Sequence, residues 1–159
     1  MRGIWLFLAM ACVSSSAMAA VKDFCRALSS LKNEARSSGN PQRVAVVKEE
    51  AMTFACARNK EVGAQVAFCA AALDAVGIEF THAFPWLVHD CLRADHIRST
   101  IETVDQYTGL RGRKKVRHLW ARWGDGTRLD LRFEPWGDFA DDAKFRDYWG
   151  AYKMVIWQP

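Results

Sequence analysis

The clearest structural pattern in the chain is the stretch RLDLRFE at residues 128–134, in which polar and apolar side chains alternate strictly. Successive side chains of a β-strand point to opposite faces of the sheet, so this alternation predicts a strand with one buried and one exposed face. The preceding Gly124-Asp125-Gly126 indicates a hairpin, because Asp-Gly readily supplies the positive φ angles of a tight turn. We therefore predict an antiparallel partner strand at 115–123.

The register of this hairpin depends on the length of its turn. A two-residue turn would place Trp120 opposite Leu131 on the buried face. A three-residue loop would instead place Leu119 opposite Leu131 and leave Trp120 exposed. The longer loop also sets Arg122 directly opposite Arg128, and since opposed like charges repel, we expect the two-residue turn.

The remainder of the chain divides into a helical half and a β half. Two further strands are expected at 101–107 and 151–157, which gives a four-stranded antiparallel sheet. Before residue 99, apolar side chains recur every three or four positions, as in amphipathic helices. The predicted helices span 21–36, 61–76 and about 85–96, with a fourth, looser one at 42–58, part of which could be a strand. We expect an α+β fold with three or four disulfide-linked helices packed on the sheet.

The N-terminus has the features of a secretory signal peptide. Arg2 provides a positive start, residues 4–13 are apolar, and Ala17-Met18-Ala19 ends in the small residues that signal peptidase requires. Cleavage after Ala19 would leave one domain at 20–159, with a helical half at about 21–98 and a β half at about 100–159. The apolar stretch is too short to span a bilayer, so we expect an exported protein, periplasmic or extracellular, that is not transmembrane.

A second interpretation of the N-terminus is a lipoprotein signal. Residues 8–12 read LAMAC, which resembles a lipidation motif that would anchor the chain through Cys12. Ala9 and Met10 fit that motif poorly, so the cleaved, unanchored form is favoured.

Without the signal peptide the chain keeps four cysteines: Cys25, Cys56, Cys69 and Cys91. An even number in a chain bound for an oxidising compartment predicts two disulfides. Four cysteines allow three pairings, and the sequence does not select one. The spacings match no structural zinc motif, so we predict no metal site.

The sequence contains no clear catalytic motif. His82, His89 and His96 are spaced by seven, but a helix that starts at Pro85 would exclude His82. No strand-turn-helix serine motif is present. We predict no catalytic residue and no cofactor.

One group of carboxylates leaves a second functional class open. The group lies beside Trp136 and could serve a cell-wall or glycan hydrolase; its members are Glu134, Asp138, Asp141 and Asp142. The favoured interpretation of the same acids is a loop that caps the start of a helix.

The β half concentrates both basic and aromatic residues. The whole chain has 22 basic and 18 acidic residues, a net charge of +4, and the run at 111–117 carries five of the basic ones. Exposed Trp beside Arg is typical of binding hot spots. We expect Phe133 and Trp157 in the core and Trp123 and Trp136 at the surface. The candidate binding residues are Trp120, Arg122, Trp123, Arg128, Arg132 and Trp136.

These features favour a small exported binding protein of the cell envelope rather than an enzyme, for example an inhibitor or immunity-type protein. The expected partner is an envelope protein or an anionic glycan or lipid surface, and export argues against nucleic acid. The alternatives are a hydrolase and a structural lipoprotein anchored through Cys12.

Overall fold

The computed structural model describes residues 4–48, 54–58, 63–76, 83–107, 114–135 and 150–159. These ranges form three helices and one sheet of six antiparallel strands in the order β2-β1-β6-β5-β4-β3, which confirms the predicted α+β class. In chain order the elements are α1 (Ile4–Ser38), β1 (Gln42–Lys48), β2 (Phe54–Arg58), α2 (Ala64–Val76), α3 (Phe84–Ala94), β3 (Ser99–Tyr107), β4 (Lys114–Arg122), β5 (Arg128–Pro135) and β6 (Gly150–Trp157).

The prediction of a helix at 42–58, and with it the four-stranded sheet, was wrong. This region forms β1 and β2, and β1 lies inside the sheet, between β2 and β6. Gln42, Val44 and Val46 are buried while Arg43 is exposed, so the stretch follows a period of two. The strand period is selected over the helical period because β1 buries one face in the middle of the sheet. There it pairs with β6, which lies more than a hundred residues away in sequence.

The predicted register of the β4–β5 hairpin was also wrong. Leu119 pairs with Leu131, Trp120 with Asp130, and Arg122 with Arg128. In the two-residue register Arg122 would face Leu129 on the buried side, and burying a guanidinium costs far more than repulsion between two exposed arginines.

A three-residue loop, 124–126, produces the observed register. Gly126 takes a φ of 90°, as the last residue of such a loop requires. The Trp123 N–H donates to the Thr127 carbonyl at 2.9 Å and closes the loop.

The loop is attached to the helical layer through Asp125. Its carboxylate forms ion pairs with Lys32 and Arg36 of α1 and accepts a hydrogen bond from the Thr127 N–H at 3.0 Å. The hydrogen bonds from Lys32 and Thr127 lower the pKa of Asp125 well below its ordinary value, more than its partial burial raises it. The turn is therefore fixed against α1.

The core lies between the three helices and one face of the sheet, and an aromatic cluster occupies its centre. Phe24, Phe68 and Phe84 come from the three helices, with ring centroids 5.3 to 6.1 Å apart. Tyr152 of β6 joins them 6.3 Å from Phe84, and its hydroxyl donates to the Val116 carbonyl at 3.1 Å. This cluster holds the sheet against the helices and leaves the opposite sheet face for other contacts.

The structure contains the two disulfides that the sequence predicted and selects their pairing. Cys25–Cys91 joins α1 to α3, and Cys56–Cys69 joins β2 to α2. The second bridge thus ties an edge strand to the helical layer rather than one helix to another. Within the described ranges, no helix has a segment long and apolar enough to cross a membrane.

Candidate functional site

The sheet face opposite the helices, which we call the outer face, is not covered by any element of the described chain. Side chains on β1, β4, β5 and β6 alternate, and their largest buried members all point to the helical side. The outer positions of β4 and β5 are occupied by His118, Trp120 and Arg122 and by Arg128, Asp130, Arg132 and Glu134. An uncovered face of this composition is a natural surface for a partner.

A shallow depression of about 530 Å³ lies on the outer face where β3 to β6 meet. We call it the aromatic–basic depression. The side chains on which its chemistry depends are Arg98, Trp120, Arg122, Arg128 and Trp157, with His118 and Asp130 beside them. Its volume lies within the range of small-ligand sites, about 300–1,000 Å³.

The strand register accounts for this grouping. Trp120 on β4 lies opposite Asp130 on β5 and Thr100 on β3. Arg122 lies opposite Arg128, which in turn lies opposite Trp157 on β6. Side chains from four strands therefore converge, and Trp120 keeps 41% of its surface exposed.

Asp130 is the carboxylate in the depression, and its charge is already compensated. Arg132 donates to it through two nitrogens at 2.7 and 3.0 Å, and His118 Nε2 lies 3.1 Å away. Burial alone would raise the pKa of Asp130, but the hydrogen bonds from Arg132 and His118 outweigh burial and lower it. Asp130 therefore stays ionised and bound to Arg132.

The other arginines of the depression have no such compensation. Among the described residues, no carboxylate lies within ion-pair distance of Arg98, Arg122 or Arg128. His118 stacks near Trp120 with ring centroids 4.6 Å apart, which braces the exposed indole. The site thus combines two tryptophans with three guanidinium groups that have no ion-pair partner in the described part of the chain, a composition suited to an anionic ligand that also has an apolar part.

The structure brings together half of the candidate binding residues. Trp120, Arg122 and Arg128 share the depression, and Arg132 lies next to it through Asp130. Trp123, expected at the surface, is partly buried and packs against the core. Trp136 lies outside the described residues.

Four residues of the site were missed by the sequence analysis: Arg98, His118, Asp130 and Trp157. Trp157 was expected in the core but occupies an outer position, while Phe133 does pack against the core. The three-residue hairpin register would have identified His118 and Asp130 as outer-face neighbours of Trp120. Arg98 precedes β3, and no local pattern connects it to β5.

A second, smaller depression of about 240 Å³ lies on the outer face between β2, β1 and β6. Its outer-face side chains include Arg43, Ala45, Ala57 and Val155, with no aromatic residue among those that line it. Arg43 is exposed and lies outside the aromatic–basic depression, so it provides a matched control for substitutions there.

The remaining candidates from the sequence do not form a site in the described chain. His89 Nδ1 lies 2.7 Å from Ser99 Oγ, and His96 lies in the turn after α3 with a φ of 57°. Over the described ranges, no three His, Cys, Asp or Glu side chains are grouped as metal ligands. His82 and the acids Asp138, Asp141 and Asp142 lie outside those ranges.

The sequence matches no protein-family model, and neither a curated protein nor a solved structure is significantly similar to the chain.

Proposed function

We propose that this protein is an exported, disulfide-bonded binding protein that uses the aromatic–basic depression to hold an acidic region of a protein partner in the cell envelope. The observation that carries the proposal is a set of three arginines beside an exposed tryptophan, on a sheet face where the described residues provide neither a carboxylate partner nor a covering element. An inhibitor or immunity-type protein that blocks an enzyme is one form of this function.

The energetics of protein interfaces support this proposal. Truncation of Trp or Arg at the centre of an interface commonly costs 2 kcal/mol or more, while rim residues contribute little. Trp120 is held from the side by His118, so it loses little conformational freedom on binding. The unpaired arginines can form charge-assisted hydrogen bonds without first breaking an internal ion pair.

Export is the second part of the proposal, and two features support it. Two disulfides are typical of proteins from oxidising compartments. In addition, Met18 and residues 19–23 of α1 are not buried, and Phe24 is the first core residue after the expected cleavage site. Cleavage after Ala19 would therefore leave the core contacts of α1 from Phe24 onward intact.

Mass spectrometry of the mature chain tests the export step. We expect an N-terminus at Ala20. A chain that begins at Cys12 with an added lipid mass would replace this assignment with a membrane-anchored form.

Affinity capture with purified variants tests the binding step. The tagged mature protein is used to isolate partners from an envelope extract, and the affinity of the identified partner is then measured with purified components. Trp120→Ala and Arg128→Gln should each weaken that affinity about 30-fold or more, the equivalent of 2 kcal/mol. Both side chains are exposed, so neither substitution should lower the melting temperature appreciably.

Arg43→Gln is the matched control, because it removes the same charge from the outer face at a different place. It should leave the affinity within about twofold of the unchanged protein. Equal binding by all three variants would show that the partner uses another surface.

A further inference from the structure

We infer that the partner segment held in the aromatic–basic depression carries two neighbouring carboxylates and an adjacent apolar side chain, with the carboxylates on Arg122 and Arg128 and the apolar group on Trp120. This inference rests on the proposed function and specifies the chemistry of its ligand.

Arg122 and Arg128 are directly opposed in the β4–β5 hairpin. Trp123 and Thr127 form the hydrogen-bonded pair that closes the loop, so the next pair, Arg122 and Arg128, is a non-hydrogen-bonded one. Directly opposed side chains come closest in such pairs, with Cα atoms about 4.5 Å apart. Like charges on directly opposed residues destabilise the free protein, and two anionic groups placed between them would remove the repulsion.

Positive charge is distributed unevenly along the depression. Arg122 and Arg128 occupy the end next to the loop, and Arg98 lines the same depression from the β3 side. Two residue pairs further from the loop, at the next pair on the outer face, Trp120 lies opposite Asp130, whose charge is taken up by Arg132. An anionic group is therefore favoured at the loop end, while the described side chains at the neighbouring position offer an indole ring and a positive charge that is already paired.

The chemistry and size of the depression suit a short acidic peptide. Guanidinium groups bind carboxylates in a planar, two-point geometry, and the indole of Trp120 offers a flat apolar surface. A volume of about 530 Å³ accommodates a few side chains rather than a single small ion. A short acidic peptide segment supplies both chemistries within two or three residues.

Peptide binding to the mature protein tests the inference directly. The main probe is the blocked peptide acetyl-Gly-Asp-Glu-Leu-Gly-amide, measured by calorimetry and by the NMR shift of the Trp120 indole N–H. Replacement of Asp and Glu by Asn and Gln should abolish binding, and replacement of Leu by Ala should weaken it several-fold. Binding should also weaken as the salt concentration rises from 0.05 to 0.5 M.

Three protein variants connect this binding to the arginines. Arg122→Gln and Arg128→Gln should each reduce peptide affinity about tenfold, whereas Arg43→Gln should not change it by more than about twofold. Because the repulsion is removed, Arg128→Gln should also raise the melting temperature of the free protein by roughly 1 to 3 °C. A purely structural role for Arg128 would lower the melting temperature instead.

Two comparison ligands give the results that would overturn the inference. Inorganic phosphate and a trigalacturonate should bind more weakly than the acidic peptide. Tighter binding of the trigalacturonate would identify an acidic glycan as the ligand, and equal binding of the neutral peptide would show that carboxylates are not recognised. If either occurred while partner capture still depended on Trp120 and Arg128, the proposed function would stand and only its ligand chemistry would be wrong.

Discussion

The two disulfides should contribute unequally to stability, because they close chain loops of very different length. Cys25 and Cys91 are separated by 66 residues, and Cys56 and Cys69 by 13. If each bridge acts by restricting the unfolded chain, these lengths correspond to about 4.3 and about 2.9 kcal/mol at 25 °C. The smaller loop lies within the larger one and shortens it to about 53 residues, which lowers the first value by only about 0.2 kcal/mol.

Paired substitutions by alanine isolate this difference. Cys91 and Cys69 are both 2% exposed, so the lost sulfur atoms leave similar small cavities in the two variants and that cost largely cancels. One variant keeps only the short loop and the other keeps only the long loop at its full length. The variant that lacks Cys25 and Cys91 should therefore be about 1.4 kcal/mol less stable than the variant that lacks Cys56 and Cys69.

Urea unfolding of the two oxidised variants, followed by circular dichroism, measures these losses. The unchanged protein in excess reductant serves as the control for removal of both bridges. An equal loss in the two variants, or a larger loss without Cys56–Cys69, would refute the loop-length argument and point to strain or residual structure in the unfolded chain.

Two further substitutions probe how the loop and the sheet are held. Asp125→Asn should lower the free energy of unfolding by about 2 kcal/mol, since it removes the ion pairs with Lys32 and Arg36 and a charge-assisted hydrogen bond. The exposed Asp23→Asn should change it by less than about 0.5 kcal/mol. Because the pKa of Asp125 is lowered in the folded state, its contribution to the free energy of unfolding is present at neutral pH and is lost as the pH falls below about 4. Parallel acid-unfolding curves for the unchanged protein and Asp125→Asn would contradict this role. Gly150→Ala should destabilise the protein by about 2 kcal/mol or more, because the new Cβ would collide with the Glu134 carbonyl, whereas Gly124→Ala meets open space. Thermal unfolding of this pair decides the point, and equal melting temperatures would exclude the collision.

The sequence by itself determined those features that arise from local periodicity and composition. The alternation at 128–134 predicted β5, and the three- and four-residue spacing predicted helices that agree with α2 and α3 within a few residues. The even cysteine number predicted two disulfides. Each of these signals lies within a short segment or in a count, so it needs no knowledge of distant neighbours.

The tertiary structure decided the features that depend on which distant segments meet. The apolar spacing at 42–48 fits a helix or a strand until β6 is placed beside it. The four cysteines have no defined partners until α1 meets α3. The hairpin register follows from the cost of burying Arg122. This cost is known only once the helical layer shows which face of the sheet is buried. The same register exposes Trp120 and sets Arg122 against Arg128, so the candidate binding site is a product of packing that no single segment encodes.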